Sequence, residues 1–225
     1  MPIFPLETVL FPDAALHVHI FEDRYKLLIK ECLEKHTTFG VALIRSGSVV
    51  GGPADPYMIG TSAFIEEVHS YDDGRYDVRV SGARRFRIRK LDETQPYLVG
   101  HVEWVDDIDE TASPDLPELV KLCADHFTEF VESVFARTEF AVQVQLPKEP
   151  SALSFAIANV MQIDAIKKQW LLEMDRASER LLALAPILAN HLENIDQYSE
   201  TFSDYTAPQF RKVTADDLQS WAGPN

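Results

Sequence analysis

The sequence predicts an α+β fold, with strands in the N-terminal half and helices in the C-terminal half. Before about residue 106, apolar and polar residues mostly alternate, as they do in strands with one buried face. Beyond it, apolar residues recur at three- and four-residue steps, as they do on amphipathic helices. An acidic stretch with two prolines, over residues 106–117, separates the two patterns. We therefore expect a β-rich subdomain over 1–106, a helical subdomain over 107–198, and a partly disordered tail over 199–225.

The N-terminal half begins with a strand and a helix. Apolar residues alternate with histidines over 16–20, which predicts a half-buried strand. The helical period of the apolar residues then predicts an amphipathic helix from Glu22 to His36. The apolar run over 39–44 predicts a buried strand. Residues 46–55 include three glycines and a proline, which predict a loop.

A hairpin is predicted around Asp73-Gly74. Glycine accepts the positive φ of a tight turn and aspartate tolerates it, so this pair favours a two-residue turn between two alternating segments. The strand that follows places one face inward from residue 76 onward. Several short strands at this spacing predict a small barrel or a strongly bent sheet.

Arginines interleave with apolar residues over 84–90. Phe86 and Ile88 are expected to be buried, and the arginines between and beside them are expected to be exposed: Arg85, Arg87 and Arg89. The same basic residues, with Arg84 and Lys90, offer an alternative interpretation as a patch for nucleic acid. A solvated outer strand face explains them more simply.

The C-terminal half predicts three helices. Apolar residues over 119–134 lie on one helical face, and Ser151 is placed to cap a second helix that starts near residue 153. A third helix is expected over 166–198. Pro186 is expected to kink or divide it.

Short motifs follow one another through the first hundred residues. They are Ile3-Phe4-Pro5-Leu6, Val9-Leu10-Phe11-Pro12, Ile20-Phe21-Glu22-Asp23-Arg24-Tyr25, Phe39-Gly40-Val41, Gly60-Thr61, Asp73-Gly74-Arg75-Tyr76, Gly82-Ala83-Arg84-Arg85-Phe86 and Pro96-Tyr97-Leu98. In this order and at these spacings they resemble the N-terminal, substrate-binding domain of the ATP-dependent Lon proteases. The helical half resembles the same family at Leu153-Ser154-Phe155 and at 168–173, so the resemblance extends to about residue 196.

The resemblance implies a β-barrel of the pseudouridine-synthase-associated (PUA-like) type with one helix, followed by a helical bundle. It implies binding of unfolded or exposed apolar polypeptide, in a substrate-recognition or adaptor role, with a separate ATPase or protease as a further partner. A Lon protease continues with an ATPase module and a serine–lysine peptidase domain, whereas this sequence ends at Asn225, so a stand-alone member is expected. The alternative is a nucleic-acid or small-molecule binding module on the same barrel.

No catalytic residue is expected in this sequence. A Walker phosphate-binding motif does not occur in it. The run Pro147–Ala152 is similar to the segment around the Lon peptidase nucleophile but lacks its glycines, so a helix cap is the better interpretation of Ser151. The family motifs do not identify substrate-binding residues either. The nearest candidate is the loop from Ser46 to Tyr57.

Pairs of potential metal ligands occur without a third partner. They are His17 with His19, Cys32 with His36, and Cys123 with His126. Both cysteines lie on apolar helix faces, which favours buried thiols over metal ligands. We therefore expect no metal and no other cofactor.

The charge of the chain bears on its partners and its compartment. A net charge of -15 argues against general affinity for nucleic acid, because phosphate binding needs a cationic surface. The sequence has no signal-peptide pattern, and no apolar run approaches the ~20 residues of a membrane span. Two cysteines fit a reducing compartment, so a cytoplasmic protein without membrane partners is expected.

Overall fold

The computed structural model describes residues 1–47, 54–136 and 144–195. In these residues all seven strands precede four of the five helices. The strands are β1 Pro2–Leu6, β2 Ala15–Ile20, β3 Phe39–Gly47, β4 Ala54–Pro56, β5 Ile59–Ser70, β6 Tyr76–Asp92 and β7 Leu98–Val105. The helices are α1 Asp23–Lys35, α2 Leu116–Phe135, α3 Pro150–Val160, α4 Ala165–Glu173 and α5 Ala177–Glu193. The predicted α+β class is confirmed. No helix in this part of the chain is both long and apolar enough to cross a membrane.

The chain folds into two compact units. The first comprises Met1–Asp106 together with Ile163–Glu173, so α4 joins the β-rich unit although it comes late in the sequence. Among the described residues, the second comprises 107–136, 144–162 and 174–195. The tail over 199–225 lies outside the described residues.

The strand pairings of the first unit form a closed circuit. The order β1-β7-β6-β5-β3 returns to its start, because β1 also pairs in parallel with β3. The long strand β6 pairs with two different strands along one of its edges. Its first half pairs with β2 and its second half with β7, while β5 runs along its other side. The three strands β2, β6 and β5 therefore extend beyond the circuit as a smaller antiparallel sheet.

The core of the first unit surrounds Phe86. It forms a buried cluster with Ile3, Ala42 and Ile88, so the inward positions predicted for Phe86 and Ile88 are confirmed. Two glycines give the ring its space. A Cβ atom added to Gly40 would lie 2.6 Å from the Cζ of Phe86, and one on Gly60 would lie 2.8 Å from it.

The hairpin between β5 and β6 differs from its predicted turn. The N–H of Tyr71 donates to the carbonyl of Arg75, and the N–H of Gly74 donates to the carbonyl of Tyr71. The loop thus has three residues, 72–74, rather than two. The prediction was wrong because the positive φ of 80° falls on Gly74 alone, as in a type I turn followed by a left-handed glycine.

Arg85 is buried, so its predicted exposure was wrong. Its side chain lies on the opposite face of β6 from Phe86, but α4 covers that face here. The Arg85 Nη1 donates to the carbonyl of Leu172 over 2.7 Å, which satisfies one of the free carbonyls at the end of α4. From the same helix, Gln169 donates its Nε2 to the carbonyl of Ile59 over 3.0 Å. Arg87 and Arg89 are exposed, as predicted.

Two predictions about the helical half were also wrong. The long third helix divides at 174–176 into α4 and α5, whereas Pro186 lies inside α5. Within this break, the carbonyl of Asp175 accepts a hydrogen bond from the N–H of Ile108 over 2.7 Å. At the start of α3, the N-cap residue is Glu149, not Ser151.

One buried arginine organises the second unit. Arg180 is 0% exposed, and its guanidinium lies 4.0 Å from the ring centre of Phe155. All five of its N–H groups have acceptors: both carboxylate oxygens of Asp107, the hydroxyls of Ser151 and Ser154, and the carbonyl of Met174. Ser151 thus serves as a hydrogen-bond acceptor for Arg180 within α3.

We expect His191 to make the protein less stable in acid. Burial lowers its pKa, and its Nδ1 lies 2.8 Å from the carbonyl of Ile187. Because the folded-state pKa lies below the unfolded value, stability is complete above about pH 6.5 and is lost as the pH falls through the folded pKa. Chemical denaturation of wild type and His191→Gln from pH 8 to pH 5 measures this.

Between pH 8 and pH 5, His191→Gln is expected to lose less free energy of unfolding than wild type. His101→Gln, at an exposed position on β7, controls for removal of an imidazole. Parallel curves for wild type and His191→Gln would contradict the role assigned to His191.

Candidate functional site

Four exposed rings lie together on the small sheet of β2, β6 and β5. We call them the aromatic surface: His19, Phe21, His69 and Tyr71. The ring centre of His19 lies 6.1 Å from that of Phe21 and 6.2 Å from that of Tyr71, and His69 lies 4.7 Å from Tyr71. The side chain of Phe21 is 46% exposed. Exposed rings in contact with one another are a common feature of binding surfaces.

Strand register brings these residues together. On β6, Asp77 lies opposite His19 on β2 and opposite His69 on β5. The Asp77 carboxylate accepts hydrogen bonds from the Tyr71 hydroxyl and, over 2.6 Å, from the Nδ1 of His19. These bonds hold the pKa of Asp77 below its ordinary value, and the bond to Asp77 raises the pKa of Tyr71. Asp77 therefore fixes two rings of the aromatic surface while it stays ionised.

An open groove lies on the same sheet. Its volume is about 460 Å³, and polar side chains from all three strands line it: His17, His19, Glu67, His69, Asp77 and Arg79. Arg79 binds Glu66 over 2.6 Å and Glu67 over 3.0 Å, and Asp77 is bound by His19 and Tyr71. One arginine beside three carboxylates leaves these groups net negative, so rings and backbone are what the groove offers an apolar ligand.

The histidines and cysteines take the positions expected of them. His17 and His19 are exposed on β2. Among the described residues, no group of three or more potential ligands could hold a metal ion. Cys32 and Cys123 are free and buried, and burial raises the pKa of the Cys123 thiol to about 11. A thiol with so high a pKa is a poor nucleophile at neutral pH.

The loop from Ser46 to Tyr57 is described only at its two ends, because residues 48–53 lie outside the described part of the chain. At these ends Ser46 and Gly47 extend β3, and Ala54–Pro56 forms β4 beside it. Arg45 and Asp55 form an ion pair across the two strands over 2.5 Å. The role suggested for this loop stays a prediction.

Several of the basic residues over 84–90 have partners within the protein. Arg84 pairs with Asp106 over 2.9 Å and lies over the ring of Trp104. Arg89 pairs with Glu103 over 2.7 Å, and Arg85 is buried against α4. Phosphate binding needs cations that are available to the ligand. Three of the five basic residues in this run have such partners, whereas Arg87 and Lys90 are exposed.

Sequence reasoning missed the aromatic surface, because its members come from β2, from the residue after it, and from the end of the β5–β6 hairpin. The signal was present in part: the alternation over 16–20 gives the outward face of β2, and Asp73-Gly74 locates the hairpin. The step that the sequence does not give is the register between β2 and β6.

Another pair of exposed apolar residues, Ile166 and Trp170, lies one turn apart on α4.

Known sequences are similar to this chain over most of its length. Lon protease 2 of Syntrophobacter fumaroxidans is 26% identical over 196 residues, which are 86% of this chain and 25% of that protein. The Lon protease of Porphyromonas gingivalis is 28% identical over 200 residues, which are 86% of this chain and 24% of that protein. The chain thus spans about a quarter of the length of these curated relatives.

Solved structures are similar as well. A Lon N-terminal domain protein from Xanthomonas campestris matches with a TM-score of 0.61 and 26% identity, covering 82% of this chain and 95% of that one. The N-terminal domain of the Mycobacterium avium complex Lon protease matches with a TM-score of 0.62 and 20% identity, covering 85% and 98%, which shows a shared fold. The family model of the ATP-dependent protease La (LON) substrate-binding domain matches residues 1–190. This chain therefore belongs to the LON substrate-binding domain family.

Proposed function

We propose that this protein binds exposed apolar segments of unfolded polypeptide and does not itself hydrolyse them. The aromatic surface carries the proposal, because it offers four adjacent exposed rings on a protein whose net charge is -15. Rings bury large apolar areas on binding, which suits side chains that a folded client would hide. Family membership supports a role in substrate recognition.

Partners and compartment follow from the same proposal. A recognition module of this kind would deliver its client to an ATPase or protease, and we propose such an enzyme as the second partner. Free cysteines buried in both units suit a reducing cytoplasm. RNA is the competing ligand, and the ion pairs of Arg84 and Arg89 favour polypeptide over it.

Binding of unfolded polypeptide is expected to survive high salt. Burial of apolar surface is not screened, whereas interactions between exposed charges are largely lost when the Debye length falls to ~3 Å at 1 M salt. RNA binding would instead weaken steeply as counterions are released. Fluorescence anisotropy with a labelled unfolded polypeptide and a labelled single-stranded RNA, each from 50 mM to 1 M salt, separates the two ligands.

Matched variants test where the polypeptide binds. Phe21→Ser removes an exposed ring from the aromatic surface, and Leu182→Ser removes an exposed apolar side chain from α5. We expect only Phe21→Ser to weaken binding, by up to roughly tenfold, since full burial of such a ring is worth ~1.5–3 kcal/mol and about half of Phe21 is still exposed. Equal effects, an RNA signal alone, or hydrolysis of ATP or casein above a heat-killed control would each contradict the proposal.

A further inference from the structure

Among the described strands, β2 forms one edge of the small sheet, which we call the open edge. β2 pairs with β6 along its whole length, from Ala15 opposite Ser81 to Ile20 opposite Tyr76. Within the described residues, β2 has no strand on its other side. An edge of this kind exposes a row of backbone donors and acceptors, which is a template for another extended chain.

The hydrogen-bond pattern shows which residues of β2 face that open edge. The N–H of Gly82 donates to the carbonyl of Ala14 over 2.7 Å, so the backbone of Ala14 faces β6. Antiparallel pairs alternate between bonded and non-bonded positions. Leu16 and Val18 therefore bond β6, while the N–H and C=O groups of His17 and His19 point away from it.

The pairing between β6 and β5 independently identifies the same outward residues of β2. The N–H of Tyr71 donates to the carbonyl of Arg75 over 3.0 Å, which makes this the first bonded pair of the hairpin. By alternation, Asp77 and Arg79 bond β5, so Tyr76, Val78 and Val80 bond β2. Their partners on β2 are the even-numbered residues. His17 and His19 are thus the outward residues in both derivations.

The open edge also lacks the usual protection against pairing. Proteins commonly protect edge strands with lysine, other charged side chains, proline or a bulge. β2 reads Ala-Leu-His-Val-His-Ile and has no Lys, Arg, Asp, Glu or Pro. Its register with β6 is continuous over all six pairs. β2 itself therefore presents no charged side chain and no proline along this edge.

We propose that β2 is a docking strand, to which an extended segment of the client adds through the backbone of His17 and His19. The inference deepens the proposed function and rests on it. An extended chain is the occupant that fits, because only a strand presents donors and acceptors at the spacing of this edge. Every second side chain of that segment then lies beside the aromatic surface, which selects apolar or aromatic residues at alternate positions.

A proline substitution tests the docking strand without removing β2. His17→Pro deletes an outward N–H but no bond to β6, and proline is tolerated on strand edges at such positions. His17→Ala keeps the N–H and loses only the imidazole. The probe is a labelled decapeptide that alternates phenylalanine with serine. We expect the affinity of His17→Pro to be about five- to tenfold lower than that of His17→Ala, since both variants lack the imidazole and only His17→Pro lacks the N–H.

Circular dichroism and thermal melting show whether each variant is folded. A second measurement needs no variant: amide hydrogen exchange of wild type with and without the decapeptide. His17 and His19 are expected to become protected, while an N-methylated decapeptide lacking alternate N–H groups gives no protection. Equal loss of affinity in both variants would assign the effect to the imidazole and overturn the docking strand.

The remaining outcomes are distinguishable. If wild type binds the unfolded polypeptide but exchange at His17 and His19 is unchanged, the docking strand is wrong and the proposed function stands. If wild type binds no polypeptide at all, both fail. If these amides become protected without peptide as protein concentration rises, a second copy of this chain occupies the edge, which overturns the client as the occupant.

Discussion

Replacing Arg180 with methionine is expected to lower the free energy of unfolding by about 3–5 kcal/mol. The methionine fills much of the same volume but removes both bonds from the guanidinium to the Asp107 carboxylate, and a largely buried charge that loses its charged neighbour is costly. The hydroxyls of Ser151 and Ser154 and the carbonyl of Met174 lose a donor at the same time. Urea denaturation, followed by circular dichroism, measures the loss.

Arg176→Met is the matched control. Arg176 is 43% exposed and its contacts with Glu110 and Glu179 are 3.7 and 3.8 Å long, so its loss is expected to cost less than about 1 kcal/mol. The double variant Arg180→Met, Asp107→Leu is expected to recover part of the stability, because it also removes the carboxylate whose charge Arg180 neutralises. Equal costs for Arg180→Met and Arg176→Met would show that the network around Arg180 contributes little.

Local patterns in the sequence are sufficient for most elements of this fold. Alternation over 16–20 predicts β2, and the helical period over 22–36 predicts α1 to within one residue at each end. Each of these elements has one buried face, so its own residues carry the signal. The apolar residues therefore recur with different periods in the two halves. The α+β class can be predicted from these periods without any long-range contact.

Long-range contacts explain the positions where local patterns fail. Arg85 lies where alternation predicts an exposed residue, and its face is covered by a helix that begins eighty residues later. The break between α4 and α5 falls at Met174-Asp175-Arg176, which includes neither glycine nor proline. Its carbonyls are used by Arg180 and Ile108. No short window of the sequence includes both members of the pairs Arg85–Leu172 and Ile108–Asp175.

The candidate site was harder to predict than the fold. Its rings come from two segments about fifty residues apart, and each ring alone is an ordinary exposed side chain. The contacts arise because Asp77 on β6 binds both His19 and Tyr71. The open edge of β2 depends on which strands pair, and pairing cannot be read from alternation alone.

Phe86→Ala is expected to destabilise the first unit by about 3–5 kcal/mol. The ring is fully buried among Ile3, Ala42 and Ile88, and alanine removes most of its contacts. The cavity cannot be filled from the nearest backbone, because Gly40 and Gly60 have no side chain to move into it. Thermal melting and urea denaturation of the variant measure the cost.

Three arginine variants of the same strand separate its two faces. Arg87→Gln and Arg89→Gln are expected to change stability by less than about 0.5 kcal/mol, since both side chains are exposed. Arg85→Gln is expected to cost about 1–3 kcal/mol, because it leaves the buried carbonyl of Leu172 without its donor. The expected loss of stability is largest for Phe86, smaller for Arg85 and smallest for the two exposed arginines, because both faces of β6 are buried at residues 85 and 86. If Arg85→Gln behaves like Arg87→Gln, α4 does not cover this face of the sheet in solution.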